Sequence, residues 1–409
     1  MRILFLNQFF WPDTAATGQL LSDVAEHLAA SGESVGVICG SANYGGFNSS
    51  PRPRVAITRL NDAKLARRVA GRMGTYLSFL AGSLWHGLCG PKPDLVVTLT
   101  TPPLLSLVGL AIQRWRGARH IIWEMDIYPD IAADLGVLKP GGFAAKALGW
   151  LADVSRNRAD RVIVLGECMR RRLLTHGLPN DKICVAENWA DSDALPGAHR
   201  HGEPAAPGAS GAFSVLYSGN FGRAHDAETI AGAMAELKGG EAFRFVFAGG
   251  GSRQAWLRSF CESNGVENAR FLPYCERGEL SARLASGHVG LVTQQPASIG
   301  AVVPSKIYGI LAAGRPVLFV GPRESTIADI IERWGCGWQI DCGDVGGLVT
   351  LLRYLGEHRE VVHAAGVRAH QAFVSRYQRS LGVARWAAVL HAGTEEKTAI
   401  ARQAASALK

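Results

Sequence analysis

The strongest constraint on this chain is an alternation that runs through it twice. Short apolar runs, each ending in small or polar residues, are followed by stretches of helical periodicity. In the first half the runs are Arg2–Asn7, Ser34–Cys39, Leu95–Leu99, His120–Trp123, Arg161–Leu165 and Ile183–Ala186. In the second they are Phe213–Tyr217, Phe243–Phe247, Phe271–Tyr274, Val289–Thr293, Val317–Val320 and Trp338–Ile340. Runs this short and this apolar read as strands buried on both faces of a parallel sheet. With helices such as Gln19–Ser31 between them, the order predicts two doubly wound α/β sheets. Between the two sets lies Pro196–Gly211, rich in Gly, Pro, Ala and His and without apolar periodicity, which reads as a linker. The expected division is a first domain over 1–195, the linker over 196–211 and a second domain over 212–360. A length of 409 residues accommodates it.

Composition narrows the class. Charged residues make up 19% and hydrophobic residues 47%, as in a globular chain with a large core. The net charge of +8 is unevenly spread: Arg52, Arg54, Arg59, Lys64, Arg67, Arg68 and Arg72 form a cluster containing one acid, Asp62. Such a cluster favours an anionic surface. It runs into Lys64–Gly90, where apolar residues recur at helical spacing, either a core helix with a solvated basic face or a helix resting on acidic lipid. The eight cysteines show no Cys-x2-Cys spacing and are expected as buried free thiols of a reducing compartment. Met1-Arg2 passes directly into a short apolar run, too short for a secretory leader, and no run reaches the length of a membrane span.

Ligands of doubly wound sheets bind at the carboxyl ends of strands. In the first domain that places the loop Gln8–Gly18 at a ligand, and the acids Glu124, Asp126 and Asp130 after another strand end. In the second domain three strand ends carry phosphate-binding features. Gly219 and Gly222 allow close backbone approach, and Arg223 offers a bidentate donor. Glycines 249–251 open a helix in the same manner. Ser305 is a favourable N-cap residue, and Lys306 adds a full charge at the start of a helix reaching Ala313. Together these favour a nucleotide diphosphate. His225 either contacts that ligand or closes the turn. The Gly-x4-Gly-Lys-Ser/Thr pattern of a P-loop and the Gly-x-Gly-x-x-Gly pattern of a dinucleotide site are both missing, and no cluster has metal-ligand spacing.

Several segments, in order, carry a resemblance: Asp126–Asp130, Glu187-Asn188-Trp189, Tyr217–Arg223, Val303–Tyr308 and Leu311–Pro316. The chain resembles the retaining glycosyltransferases of family 4, and within them bacterial exopolysaccharide and O-antigen transferases. The resemblance implies the GT-B fold, two facing Rossmann-like domains with a cleft between them, and a final helical region, 361–392, that crosses back to the first domain. It implies a sugar nucleotide donor, UDP- or GDP-linked, in the second domain, and a glycan on a polyprenyl diphosphate as acceptor in the first. It also implies reaction without a metal or a further cofactor, by front-face attack without a protein nucleophile. Arg223 and Lys306 would stabilise the leaving diphosphate, and the acidic role falls to Asp126. Substrate contacts fall to Gly18, Asp130, Gly219, Asn220, Gly222, His225, Gly250, Pro273 and Ser305. The family's Glu-x7-Glu places are occupied by Ala301 and Gly309. The expected setting is the inner face of the cytoplasmic membrane, with an anionic membrane surface and no nucleic acid as partner. The competing readings are a sugar-nucleotide epimerase of the same shape and a non-catalytic two-lobed ligand-binding protein.

Overall fold

The computed structural model describes residues 1–41, 52–60, 69–191, 211–275 and 277–390. The linker lies outside this set except for Gly211, as do residues 61–68 of the basic cluster. Seven parallel strands form the first sheet: β1 Arg2–Leu6, β2 Ser34–Cys39, β3 Ala56–Arg59, β4 Leu95–Leu99, β5 Arg119–Trp123, β6 Arg161–Val164 and β7 Ile183–Val185, in the order β3-β2-β1-β4-β5-β6-β7. Six more form the second: β8 Phe213–Asn220, β9 Phe243–Gly250, β10 Ala269–Leu272, β11 Val289–Thr293, β12 Val317–Val320 and β13 Gly337–Ile340, in the order β10-β9-β8-β11-β12-β13. Both sheets are doubly wound, as the alternation requires. β4 and β11 are buried at every position, which is why they read as unbroken apolar runs.

The helices of the first half are α1 Ala16–Ala30, α2 Val69–Cys89, α3 Leu105–Arg116, α4 Asp130–Asp134, α5 Phe143–Arg158 and α6 Glu167–Thr175. Those of the second are α7 Glu228–Glu236, α8 Ser252–Asn264, α9 Leu280–Ala285, α10 Lys306–Ala312, α11 Thr326–Trp334, α12 Val345–Glu357 and α13 Arg359–Ala372. One face of the first sheet packs under α2 and α3 through Leu6, Phe79, Val96, Leu105 and Ile112. A single larger core joins its other face, under α1, to α10 and α11 of the second half. A separate core lies under α7, α8 and α12.

The structure corrects several local expectations. Gly18 sits inside α1 rather than in the loop before it. A Cβ there would stand 3.2 Å from the carbonyl of Phe9, so glycine lets the first turn of α1 press on that loop. Gly219 and Gly250 lie in strands, not turns, because β8 and β9 pair through Gly219–Gly249 and Asn220–Gly250. The short edge strand β3 went unread, since Ala-Ile-Thr-Arg has no apolar run. Cys89 is exposed, unlike Cys39, Cys168, Cys261 and Cys336. The return crossing also begins later than residue 361. α13 packs on α10, α11 and β13; a π-helical turn, Phe373–Tyr377, then redirects the chain. The helical stretch 379–390 lies on the first sheet, with Trp386 4.7 Å from Trp123 and 5.8 Å from Phe5 between ring centroids.

Candidate active site

In each doubly wound sheet the winding direction reverses at one point, β1/β4 in the first and β8/β11 in the second, and the carboxyl ends there form the ligand crevice. Arg223 follows β8, and Lys306 opens the helix that follows β11. Gly219, at φ +123°, leaves the space that the lysine crosses: a Cβ at 219 would stand 2.9 Å from Lys306 Cε. Lys306 Nζ lies 5.2 Å from the centre of the buried Tyr217 ring and 3.5 Å from His225 Nε2. His225 Nδ1 donates to the Thr293 carbonyl at 2.7 Å, which leaves Nε2 as the lone-pair atom facing the ammonium. Burial, aided by the lysine's charge, lowers His225 to about 3, so it is neutral. No carboxylate answers Lys306 among the described residues, and burial lowers it to about 8. Arg223 is exposed, with no bonding partner among them. Gly250 carries the ring of Tyr274 at 3.2 Å from where its Cβ would be, and Pro273 beside that ring is exposed.

Ser305 does not cap α10. Its hydroxyl makes no capping bond, and its own backbone is already helical (φ −67°, ψ −11°). The positive element at this point is therefore the lysine itself.

The three acids of the first domain have separate fates. Glu124 is buried and accepts from Arg156 Nε at 2.8 Å. Asp130 accepts from Arg172 Nε at 2.7 Å and lies 3.0 Å from His176 Nε2. These partners overcome the cost of burial and hold Asp130 down at about 2, so it is a structural anion rather than a free ligand group. His176, bonded also to Asp153, is raised to about 9. Asp126 alone has no hydrogen-bond or ion-pair partner for its carboxylate among the described residues. Burial, and then the charge of Glu124, raise it to about 6.

A strap from the second half fixes this acid loop. The Ile299 carbonyl accepts from Arg172 Nη1 at 2.9 Å, and the Ala301 carbonyl accepts from the Ile127 N–H at 2.8 Å. Val302 pairs with Asp126 in an antiparallel bridge. Gly300, at φ +71°, lets the strap lie on α6, since a Cβ would meet the Cys168 carbonyl at 2.7 Å. Nearby, Cys168 Sγ and Thr326 Oγ1 are 3.0 Å apart across the same boundary. Carboxyl-end loops of both sheets thus meet, and Lys306 begins its helix four residues beyond Val302. The strap, Arg172 and His176 were missed from sequence. Arg170-Arg171-Arg172 is visible there only as a basic run, and backbone pairing leaves no residue signature. Among the described residues no group of three His, Cys, Asp or Glu side chains could hold a metal ion.

Comparison with known proteins identifies the family and the fold. Residues 17–189 match the family described as Glycosyl transferase 4-like domain, and residues 205–371 match Glycosyl transferases group 1. The chain is 27% identical over 263 residues to WbjE of Pseudomonas aeruginosa, whose name is that of a glycosyltransferase; the match spans 64% of this chain and 66% of WbjE. It is 24% identical over 377 residues to WcaI of Escherichia coli strain K12, named for colanic acid biosynthesis, across 86% of this chain and 91% of that one. Its fold is similar to that of HepE of Anabaena, solved in complex with UDP-glucose, with a TM-score of 0.71 at 15% identity, over 96% of this chain and 100% of the other.

Proposed function

Since the chain belongs to the family 4 glycosyltransferases of GT-B fold, we propose that it transfers a sugar from a nucleotide diphosphate donor to a polyprenyl-diphosphate-linked glycan, with retention, in bacterial surface polysaccharide synthesis. The observation that carries the reading is a pair of uncompensated charges. Among the described residues neither Lys306 nor Asp126, on loops that one strap draws together, has an opposite charge bonded to it, while Glu124, Asp130 and Asp153 beside them are all bonded. A half-buried charge with no opposite charge beside it is costly and marks a place where a ligand completes the electrostatics.

In this reading Lys306 and Arg223 hold the donor diphosphate. Negative charge grows on that group as the bond to the anomeric carbon breaks, so fixed cations there lower the barrier. An acceptor hydroxyl attacks the same face of the anomeric carbon and gives its proton to the Asp126 carboxylate. An acid near 6 is mostly ionised at neutral pH and still basic enough to take the proton. Two protein cations at the diphosphate make a metal unnecessary in this scheme, and the nucleotide sugar, UDP- or GDP-linked, is the only co-substrate. The lipid-linked acceptor makes the enzyme work at the inner membrane surface. The UDP-glucose complex of the similarly folded HepE supports UDP as the first donor base to test.

Calorimetric titration with UDP, GDP and NAD tests the donor assignment. UDP or GDP should bind selectively, and Arg223→Ala should weaken that binding about tenfold or more, as expected for a lost charged hydrogen bond. Binding of NAD alone, or unchanged nucleotide affinity in both Arg223→Ala and Lys306→Ala, would overturn it.

A further inference from the structure

We infer that the outer faces of α2, α3 and α5 form a docking surface that inserts into an anionic bilayer. This deepens the membrane element of the proposed function and rests on it. The sequence pointed to attraction by basic residues; the structure points to apolar insertion. On α2 the apolar solvent-facing residues are Met73, Leu77, Ala81, Trp85 and Cys89, each four after the last, with the exposed polar residues Ser78 and His86 between them. Residues four apart share one face of a helix. The opposite face, with Phe79, Ser83 and Gly87, is buried against the first sheet and α3. A helix apolar on both sides needs cover on both.

The neighbouring helices extend this face. α3 packs between α2 and α5. Arg116 at the end of α3 donates to the carbonyls of Leu88 and Gly90, and Ser106 of α3 bonds Ser155 of α5. Trp115 of α3 is 65% exposed, and Phe143 and Trp150, two turns apart on α5, are 89% and 66% exposed. Trp85, at 67%, completes the set. None of the three tryptophans has a ring or cation partner among the described residues, whereas Trp256 on α8 is covered by Arg253 and Phe260. Tryptophan is enriched at membrane–water interfaces, where its ring is apolar and its N–H stays wet.

Charge selects lipid over a second protein. The three helices contain six basic residues, Arg72, Arg114, Arg116, Lys146, Arg156 and Arg158, and one acid, Asp153, which is bonded to Arg156 and His176. Arg114, Lys146 and Arg158 are exposed. An apolar face carrying only exposed cations suits anionic headgroups over acyl chains, and repels its own copy. α2 follows β3, and α5 follows β5 by way of the short α4; both run back along the sheet, so their amino-terminal ends lie at the carboxyl edge that bears the Asp126 loop. Docking by this face brings that loop towards the bilayer.

The test uses vesicles of phosphatidylethanolamine containing phosphatidylglycerol. The intact protein should cosediment with them, and lipids brominated on the acyl chain should quench its tryptophan emission. Leu77→Glu and Trp85→Glu should each weaken vesicle binding about tenfold, with UDP affinity unchanged. Three results would overturn the inference: no cosedimentation, no quenching in the wild type, or variants that bind vesicles as the wild type does. Dissociation of a wild-type dimer by the same substitutions would also overturn it, by making the face a protein interface. Failure of the wild type to bind any nucleotide would instead sink the donor-site reading and leave this surface standing.

Discussion

Lys306→Met separates the cost of the donor site from its use. The substitution keeps the length and apolar stem of the side chain and removes the ammonium. Burial lowers Lys306 from 10.5 to about 8, so holding it charged in the fold costs about 3 kcal/mol at neutral pH. The ligand-free variant should therefore be more stable than the wild type by about 2 to 3 kcal/mol, and melt several degrees higher. The folded pKa lies below the unfolded one, so the unfolded chain binds more protons between pH 8 and 10.5. Wild-type stability should rise with pH across that window, and the variant should lack the rise. A diphosphate beside the lysine favours the ammonium, so UDP binding at pH 8 should draw about half a proton from buffer. Calorimetry in two buffers of different ionisation heat measures that uptake directly. In Lys306→Met the uptake should vanish, and UDP affinity should fall about 10- to 100-fold with the charged hydrogen bond. A variant no more stable than the wild type, with unchanged UDP affinity and proton uptake, would refute the reasoning.

The other perturbations act on the first domain and the crossing. Asp126→Asn should lower kcat about 100-fold or more with UDP affinity intact. Wild-type turnover should fall as pH drops through about 6, where that carboxylate takes up its proton, and the variant should lose this limb; full activity in Asp126→Asn would exclude the acid. His176 is raised to about 9, so its contribution to stability is complete below its ordinary 6.5 and disappears as pH rises through 9. His176→Gln should be less stable at pH 6 by about 1 to 2 kcal/mol, and should lack the alkaline decline in a denaturant series. Trp386→Ala empties a fully buried site against Trp123 and Phe5 and should cost about 3 to 5 kcal/mol. Calorimetric melting should then show the two halves separating, and a single unshifted transition would contradict the docking role of 379–390.

Much of the sheet architecture was legible because buried parallel strands have to be continuous apolar runs. Ser34–Cys39, Leu95–Leu99, Val289–Thr293 and Val317–Val320 appear with the boundaries read from sequence. What was not legible depends on partners distant in the chain. The glycines at 219 and 249–250 looked like turns because nothing local reports that they pair side by side as strand ends. Ser305 looked like a cap because its residue type is favourable, yet capping needs an extended backbone that this serine lacks. Of the three acids, sequence proximity made Asp126 and Asp130 alike. Only the fold shows Arg172 and His176 closing on one and leaving the other unmatched.

The departure at the first of the Glu-x7-Glu places has a physical cause in the same geometry. Position 301 is fully buried between the two halves, and its carbonyl is committed to the Ile127 N–H. A glutamate there would place a carboxylate in a seam that offers it no room to reach solvent, at a cost of several kcal/mol unless a cation answered it. At 309, on α10, a Cβ would stand 3.3 Å from Leu284 Cδ1, a contact that a small shift of that side chain relieves. Alanine at 301 lets backbone pairing carry the contact instead. The consequence is mechanical: residues 299–302 are held by the first domain, and Lys306 follows on a helix whose start is set by the end of that strap. The acid loop at Asp126 and the helix start at Lys306 are thus joined by one short run of backbone, which is the kind of preorganisation that the proposed transfer requires.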